Sequence, residues 1–128
     1  MTRDYIDYID DILNSVEEIE EFIYGMDYDT FSSDRKTENA VIRSLEVMGE
    51  AAAKIPDTIR EKYPDIPWKR MVGMRNKLIH NYFGVDSDIV WAVSTEEIPP
   101  LKVHIKRLLD DMEADQNRET SDESSQSD

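Results

Sequence analysis

The 128 residues suffice for one domain with an ordinary hydrophobic core, and the absence of cysteine excludes disulfides, thiolate chemistry and zinc sites of the finger type. The net charge of −14 gives a surface that repels nucleic acids and other polyanions at long range unless salt screens it. Because neither a run of 18 apolar residues nor an export signal is present, we expect a cytoplasmic protein without a membrane span.

The first half of the chain predicts two long amphipathic helices joined by a connector with at most a short helical turn. In the first helix, apolar side chains recur at steps of three and four over residues 5–23, and Gly25 is suited to end it. Asp34 can cap the second helix, which ends before Pro56. Its inner face carries small side chains around Gly49 and the alanines that follow, so another helix can approach closely there.

The second half predicts a short helix at 57–63, a third long helix and two further helices. The third long helix covers about residues 68–83 and ends at Gly84. Asp86 or Ser87 caps the next helix. A pair of prolines opens the last helix, whose inner face consists of Leu101, Ile105, Leu108 and Met112.

No strand pattern, hairpin turn or internal repeat appears, so the fold class is an all-α bundle. We expect the folded domain to occupy residues 1–112. Residues 113–128 contain six acids against Arg118 and only one apolar residue, an alanine. Such a segment cannot bury a core, and we expect a disordered acidic tail.

The third long helix carries an arginine within its apolar face. That face is predicted to be Trp68, Met71, position 75, Leu78 and Tyr82, widened by Val72, Ile79 and Phe83. A guanidinium at position 75 costs free energy unless it is paired or faces a wet groove. The same helix has no acidic residue between positions 66 and 83 but four bases, namely Lys69, Arg70, Arg75 and Lys77. This positive island could receive a phosphate; the alternatives are an arginine bonded to a neighbouring helix and a solvated basic face.

Helical geometry alone does not bring Arg75 and His80 together. At about 100° per residue, Arg75 and Tyr82 lie on one face two turns apart, whereas Arg75 and His80 are about 140° apart. Asn76 and His80 share an adjacent face. A joint site therefore needs a distorted helix end or a second chain. The helix dipole equally explains a histidine near a helix C-terminus, and His104, outside any motif, is expected to be structural.

The segment RNKLIHNY at 75–82 resembles the R-x4-H-x-Y signature of the HepT-like branch of the HEPN superfamily, the toxin halves of prokaryotic toxin–antitoxin pairs. The segments DRKTENAVIRSLEVMGEAA, YPDIPWKRMVGMRNKLIHNYFGVD and DIVWAVSTEEIPPLK follow in the family's usual order, so the resemblance covers about residues 4–112. The acidity and the tail depart from it. The resemblance implies a HEPN-type antiparallel bundle of about five helices with short connecting helices.

The resemblance also implies a site. Members of the family are ribonucleases that need neither metal nor cofactor, and Arg75 and His80 occupy their catalytic positions. Asn76 takes the polar position beside the arginine. Tyr82 matches the tyrosine that the cognate antitoxin, a minimal nucleotidyltransferase of the MntA type, modifies with AMP from ATP to silence the toxin.

The chemistry of these residues agrees with that implication. RNA cleavage without a metal requires activation of the 2′-OH, protonation of the 5′-oxygen and neutralisation of the phosphorane. His80 suits proton transfer near neutral pH, and Arg75 suits a bidentate hold on phosphate. One such histidine leaves one proton-transfer role vacant, which a homodimer fills with its second His80. Arg70 and Lys77 are expected to contact the RNA.

We therefore expect the toxin of a type VII-like toxin–antitoxin system, an endoribonuclease. One alternative is a HEPN subunit that binds nucleotide or RNA for a nucleotidyltransferase without cleaving it, which the acidic body favours because RNA affinity comes from phosphate neutralisation. The other is a purely structural helical subunit.

Overall fold

The structure is a computed structural model that describes the backbone of residues 4–80 and 86–126 and the side chains of residues 4–79 and 86–117. Over these residues the chain is all-α and has no β-strand, as predicted. None of the described helices combines the length and the apolar character needed to cross a membrane. The helices are α1 (Tyr5–Ile23), α2 (Tyr28–Ser33), α3 (Arg35–Ala53), α4 (Asp57–Lys62), α5 (Trp68–His80), α6 (Ser87–Ala92), a π-helical segment (Val93–Glu97) and α7 (Ile98–Gln126).

The ends of α1 and α3 follow the predicted local chemistry. Gly25 lies just beyond α1 with a φ of 76°, a conformation that glycine adopts without the cost a Cβ would impose. At the start of α3, the carboxylate of Asp34 accepts a hydrogen bond from the backbone N–H of Thr37 at 3.1 Å. At its end, the Arg60 guanidinium donates to the carbonyl of Ala52 at 2.7 Å and closes the helix.

The core forms around α3. This helix packs against α1 on one side and α5 on the other, and α7 packs against α1. All four predicted inner residues of α7 are buried. The buried apolar side chains form one cluster to which every long helix contributes. Helix α5 is held in this cluster by its packing against α3.

Gly49 brings α3 and α5 into close approach, as the small side chains of α3 predicted. A Cβ at this position would lie 2.3 Å from the Cβ of Arg75 and 2.6 Å from the backbone carbonyl oxygen of Met71. Real side-chain contacts do not come so close, so only glycine allows the observed spacing. The backbone of α3 therefore touches α5 at the position of the unexpected arginine.

The last two helices begin where the sequence predicted, but a segment that was not predicted joins them. Asp86 caps α6 by accepting from the N–H of Asp88 at 2.9 Å, as expected. No loop then separates α6 from α7, because the π-helical segment connects them and Pro99 and Pro100 fall in the first turn of α7. A proline ring clashes with the carbonyl four residues before it and lacks an N–H, and a widened turn relieves that clash.

Beyond Met112 the structure continues α7 as a helix to Gln126, and the expectation of a disordered tail over residues 113–128 stays a prediction. A helix already held by its core face extends without a new nucleation cost. The described side chains at 113–117 are all exposed, as their polar composition requires. The division into a domain at 1–112 and a separate tail stays a prediction.

Candidate functional site

Helix α5 presents the candidate site, and its buried face differs from the predicted one. Its buried side chains are those of Trp68, Met71, Met74 and Leu78. Ile79, expected to widen the apolar face, is 42% exposed, and Met74 was overlooked. The prediction placed position 75 within the buried face, whereas the structure places Met74, one residue earlier, in that face. The indole N–H of Trp68 donates to the carbonyl of Tyr63 at 3.1 Å and anchors the start of the helix.

Arg75 consequently lies at the edge of the buried face, where its stem packs beside Gly49 and its side chain is 31% exposed. Nη1 donates to the amide oxygen of Asn76 at 3.1 Å. Nη2 lies 3.9 Å from Oε1 of Glu50 on α3, a separation too long for a hydrogen bond. Nε is buried and has no hydrogen-bond partner among the residues whose side chains the structure describes. The sequence left open that Arg75 is bonded to a neighbouring helix. Among the described residues, this loose ion pair with Glu50 is the contact that corresponds to that alternative.

Asn76 is exposed, and its side chain holds one edge of the Arg75 guanidinium. This contact joins two adjacent residues of α5, so it needs no other element. It fixes the guanidinium plane while the Nε edge stays unbonded. A planar guanidinium with free N–H groups is suited to bind a phosphate through two parallel hydrogen bonds.

Arg70, one and a half turns earlier on α5, has a full partner. Its guanidinium forms two hydrogen bonds with Glu97 of the π-helical segment, one of them from Nη2 to Oε2 at 2.7 Å. The hydrogen bonds and the charge of Glu97 raise the pKa of the Arg70 guanidinium above its usual value. Lys69 and Lys77 are exposed. The positive island is therefore partly neutralised, and contact of Arg70 and Lys77 with a substrate stays a prediction.

The comparison with known proteins assigns the family. The model of the family described as Ribonuclease HepT-like matches residues 12–108. The chain belongs to this family. A protein of Methanocaldococcus jannaschii named "Putative RNase MJ0125" is 48% identical over 111 residues, which cover 87% of this chain and 96% of that protein.

A second relative carries the family name itself. A protein of Thermococcus cleftensis named "Probable ribonuclease HepT" is 45% identical over 108 residues, which cover 84% of this chain and 98% of that protein. No solved structure gives a significant match to the chain. The HepT-like assignment thus agrees with the resemblance inferred from the sequence motif.

Two of the residues that the HepT-like motif assigns fall where the structure gives no side chain. His80 is the last residue of α5, and only its backbone is described. Tyr82 lies outside the described residues. The convergence of Arg75 with His80, and the role of Tyr82 as AMP acceptor, therefore stay predictions.

Two carboxylates beside the candidate site were not found by sequence reasoning. Glu50 lies against Arg75 from α3, and Glu97 pairs with Arg70 from the π-helical segment. The only local signal that could have indicated Glu50 was its position directly after Gly49, where another helix was expected to approach closely. Among the side chains that the structure describes, no group of three or more potential metal ligands is close enough to hold an ion.

His104 lies apart from this site, in a cleft of about 200 Å³ between the α4–α5 loop and α7. Beside it, the Tyr63 hydroxyl donates to Asp111 at 3.0 Å. Burial and this hydrogen bond raise the pKa of Tyr63 to about 12. The Tyr63–Asp111 bond ties the loop before α5 to α7, and the structural role expected for His104 stays a prediction.

Proposed function

We propose that this HepT-like chain is a metal-independent endoribonuclease in which Arg75 binds the scissile phosphate. The observation that carries the proposal is the guanidinium of Arg75, which is held on one edge by Asn76 and has an unpartnered Nε. A buried N–H without a partner costs free energy, and a bound phosphate oxygen would remove that cost. The ribonuclease names of relatives at 48% and 45% identity support the choice of RNA.

In this reaction the 2′-oxygen attacks the adjacent phosphorus and the bond to the 5′-oxygen breaks. A base removes the proton of the 2′-OH, an acid supplies one to the leaving 5′-oxygen, and Arg75 stabilises the charge on the phosphorane. His80 takes one of these proton transfers. We assign the other to His80 of a second copy, so the active species is a homodimer.

The biological setting we propose is a type VII-like toxin–antitoxin system in the cytoplasm. The resemblance of the segment 75–82 to the family signature supports it. On this proposal a cognate minimal nucleotidyltransferase transfers AMP from ATP to Tyr82, two residues beyond His80. The adduct places a negative charge where substrate phosphate binds, and so it blocks RNA by occupancy and by repulsion.

The alternative function is a HEPN subunit that binds nucleotide or RNA without cleaving it. The net charge of −14 favours this alternative, because an acidic surface lowers general affinity for RNA. The two functions share the Arg75 site, and cleavage distinguishes them.

Cleavage assays on single variants test the proposed enzyme. We expect Arg75→Ala and His80→Ala each to abolish cutting of RNA at unchanged thermal stability, because one loses phosphate binding and the other loses proton transfer. Lys69→Ala, which removes an exposed charge from the same helix, is the matched control and should cut normally. EDTA should have no effect. Cutting at the wild-type rate by either site variant would place the activity elsewhere.

The AMP acceptor is tested by Tyr82→Phe, which keeps the ring and removes the hydroxyl. We expect the variant to cut RNA but to resist silencing by the cognate nucleotidyltransferase with ATP and magnesium. Mass spectrometry should find the adenylyl group on Tyr82 of the wild type. An adduct on another residue would refute this part of the proposal.

A further inference from the structure

Glu50 places a negative charge beside the proposed phosphate-binding arginine. It follows Gly49 on α3, and its Oε1 lies 3.9 Å from Nη2 of Arg75. Its side chain is 57% exposed, and the structure describes no hydrogen bond to it within residues 4–79 and 86–117. The carboxylate therefore keeps its hydration and contributes charge rather than a fixed contact. Together, Arg75 and Glu50 carry a net charge of zero.

This carboxylate acts on any anion that Arg75 binds. An oxygen held by Nη2 at about 2.9 Å lies within about 7 Å of Glu50, which is shorter than the screening length of physiological salt. The repulsion grows in proportion to the charge of the ligand. A phosphodiester carries one negative charge, whereas a phosphate monoester carries close to two above its second pKa of about 6.

We propose that Glu50 is a specificity-determining residue that lowers the preference of the Arg75 site for doubly charged phosphates and so favours singly charged phosphodiesters. The inference rests on the proposed function, and it names the substrate class as the internal linkages of a strand rather than phosphorylated ends. The guanidinium attracts, and Glu50 repels, every negative charge of the ligand. The repulsion removes part of the advantage that Arg75 alone would give a doubly charged ligand, so phosphate monoesters and inorganic phosphate compete less well than they would without this carboxylate.

The chain offers a matched control on the same helix. Glu46 lies one turn before Glu50 and faces Arg43 at 3.5 Å. Glu46→Gln changes the net charge of the protein by the same amount as Glu50→Gln. Any effect of the overall charge appears equally in both variants, and only the Glu50 variant changes the charge beside Arg75.

The experiment measures binding without cleavage, by an NMR titration that follows the backbone amide resonances of α5, which the Arg75→Ala variant also provides. The two probes are inorganic phosphate and a dinucleoside phosphate built on 2′-deoxyribose, which offers no 2′-OH, at pH 8 and constant ionic strength. Loss of a unit repulsion at this distance corresponds to an affinity gain on the order of threefold for the diester. Because phosphate carries twice the charge, its gain in Glu50→Gln should be about the square of that value.

Lowering the pH to 5.5 makes inorganic phosphate singly charged, and the two gains should then become equal. An equal gain for both probes at pH 8, or the same change in Glu46→Gln, would overturn the inference. If Arg75→Ala abolishes binding while Glu50→Gln leaves the ratio unchanged, the inference fails and the proposed function stands. If Arg75→Ala binds the diester as the wild type does, the phosphate-binding role of Arg75 and the inference both fail.

Discussion

Two arginines on α5 share residue type, helix and charge, but they have different partners. Arg70 meets Glu97 through two hydrogen bonds, so its donors on that edge are occupied. Arg75 lies 3.9 Å from Glu50, and within the described part of the chain its buried Nε has no hydrogen-bond partner. The two arginines are five positions apart, and each faces one glutamate from a different element.

On the proposed function, one helix holds a cation paired within the fold and a cation that binds substrate. A bidentate pair satisfies both groups and ties α5 to the π-helical segment. The loose pair leaves a guanidinium that still gains free energy from a ligand. The two arginines thus differ in the distance to their glutamate partner, and the proposed function assigns their different roles to this distance.

The largest expected effect comes from replacing each arginine with lysine. Arg75→Lys keeps the charge but loses the planar fork, so we expect RNA cleavage to fall by about 10- to 100-fold. Arg70→Lys should cut within about twofold of the wild type, because Glu97 already occupies two donors of Arg70 and lysine keeps the positive charge that is predicted to contact RNA. Initial rates at saturating RNA measure both. A greater loss in Arg70→Lys would reverse the assigned roles.

A second prediction concerns the glycine that lets Arg75 lie against α3. Gly49→Ala forces a Cβ into the Arg75 stem and the Met71 carbonyl, and we expect it to destabilise the fold by about 1–3 kcal/mol. Gly73, on the opposite side of α5, has nothing within 4 Å of the corresponding Cβ. Gly73→Ala should therefore stabilise the helix by about 0.5–1 kcal/mol. Thermal melts of the two variants should move in opposite directions, and a parallel shift would contradict the close approach.

The smallest effect is expected from neutralising the two glutamates. Glu97→Gln weakens a half-exposed pair and should lower stability by less than about 1 kcal/mol. Glu50→Gln should leave the melting temperature unchanged, because its carboxylate makes no hydrogen bond in the described part of the chain. Chemical denaturation resolves both values. A larger loss in Glu50→Gln would show that the loose pair supports the fold.

The features predicted well from the sequence depend on chemistry local to the chain. Asp34 and Asp86 cap the helices that follow them, and Gly25 adopts the positive φ expected at the end of α1. The close approach at Gly49 was also predicted, because a small side chain limits what can pack there. The misfit of Arg75 in an apolar helix was the signal that drew attention to the site.

The features missed depend on contacts between distant segments. Neither Glu50 nor Glu97 has a sequence spacing that relates it to its arginine, so the two pairs exist only after packing. The buried face of α5 was misplaced because Met74, not Arg75, completes it, and that choice is made by α3. The π-helical segment depends on how the turn before Pro99 accommodates the proline ring. The spacing of apolar residues in the sequence does not predict this.

The spacing at Gly49 also has a genetic consequence. Every amino-acid change reachable from a glycine codon by one nucleotide adds a side chain, and at this position any side chain meets Arg75 and the backbone of α5. If the chain is toxic when expressed, survivors of that expression should carry lesions at codon 49 far more often than at codon 73, where the same alanine change fits. The ratio of mutation frequencies at codons 49 and 73 among the survivors would thus report the close approach of α3 and α5 at Gly49.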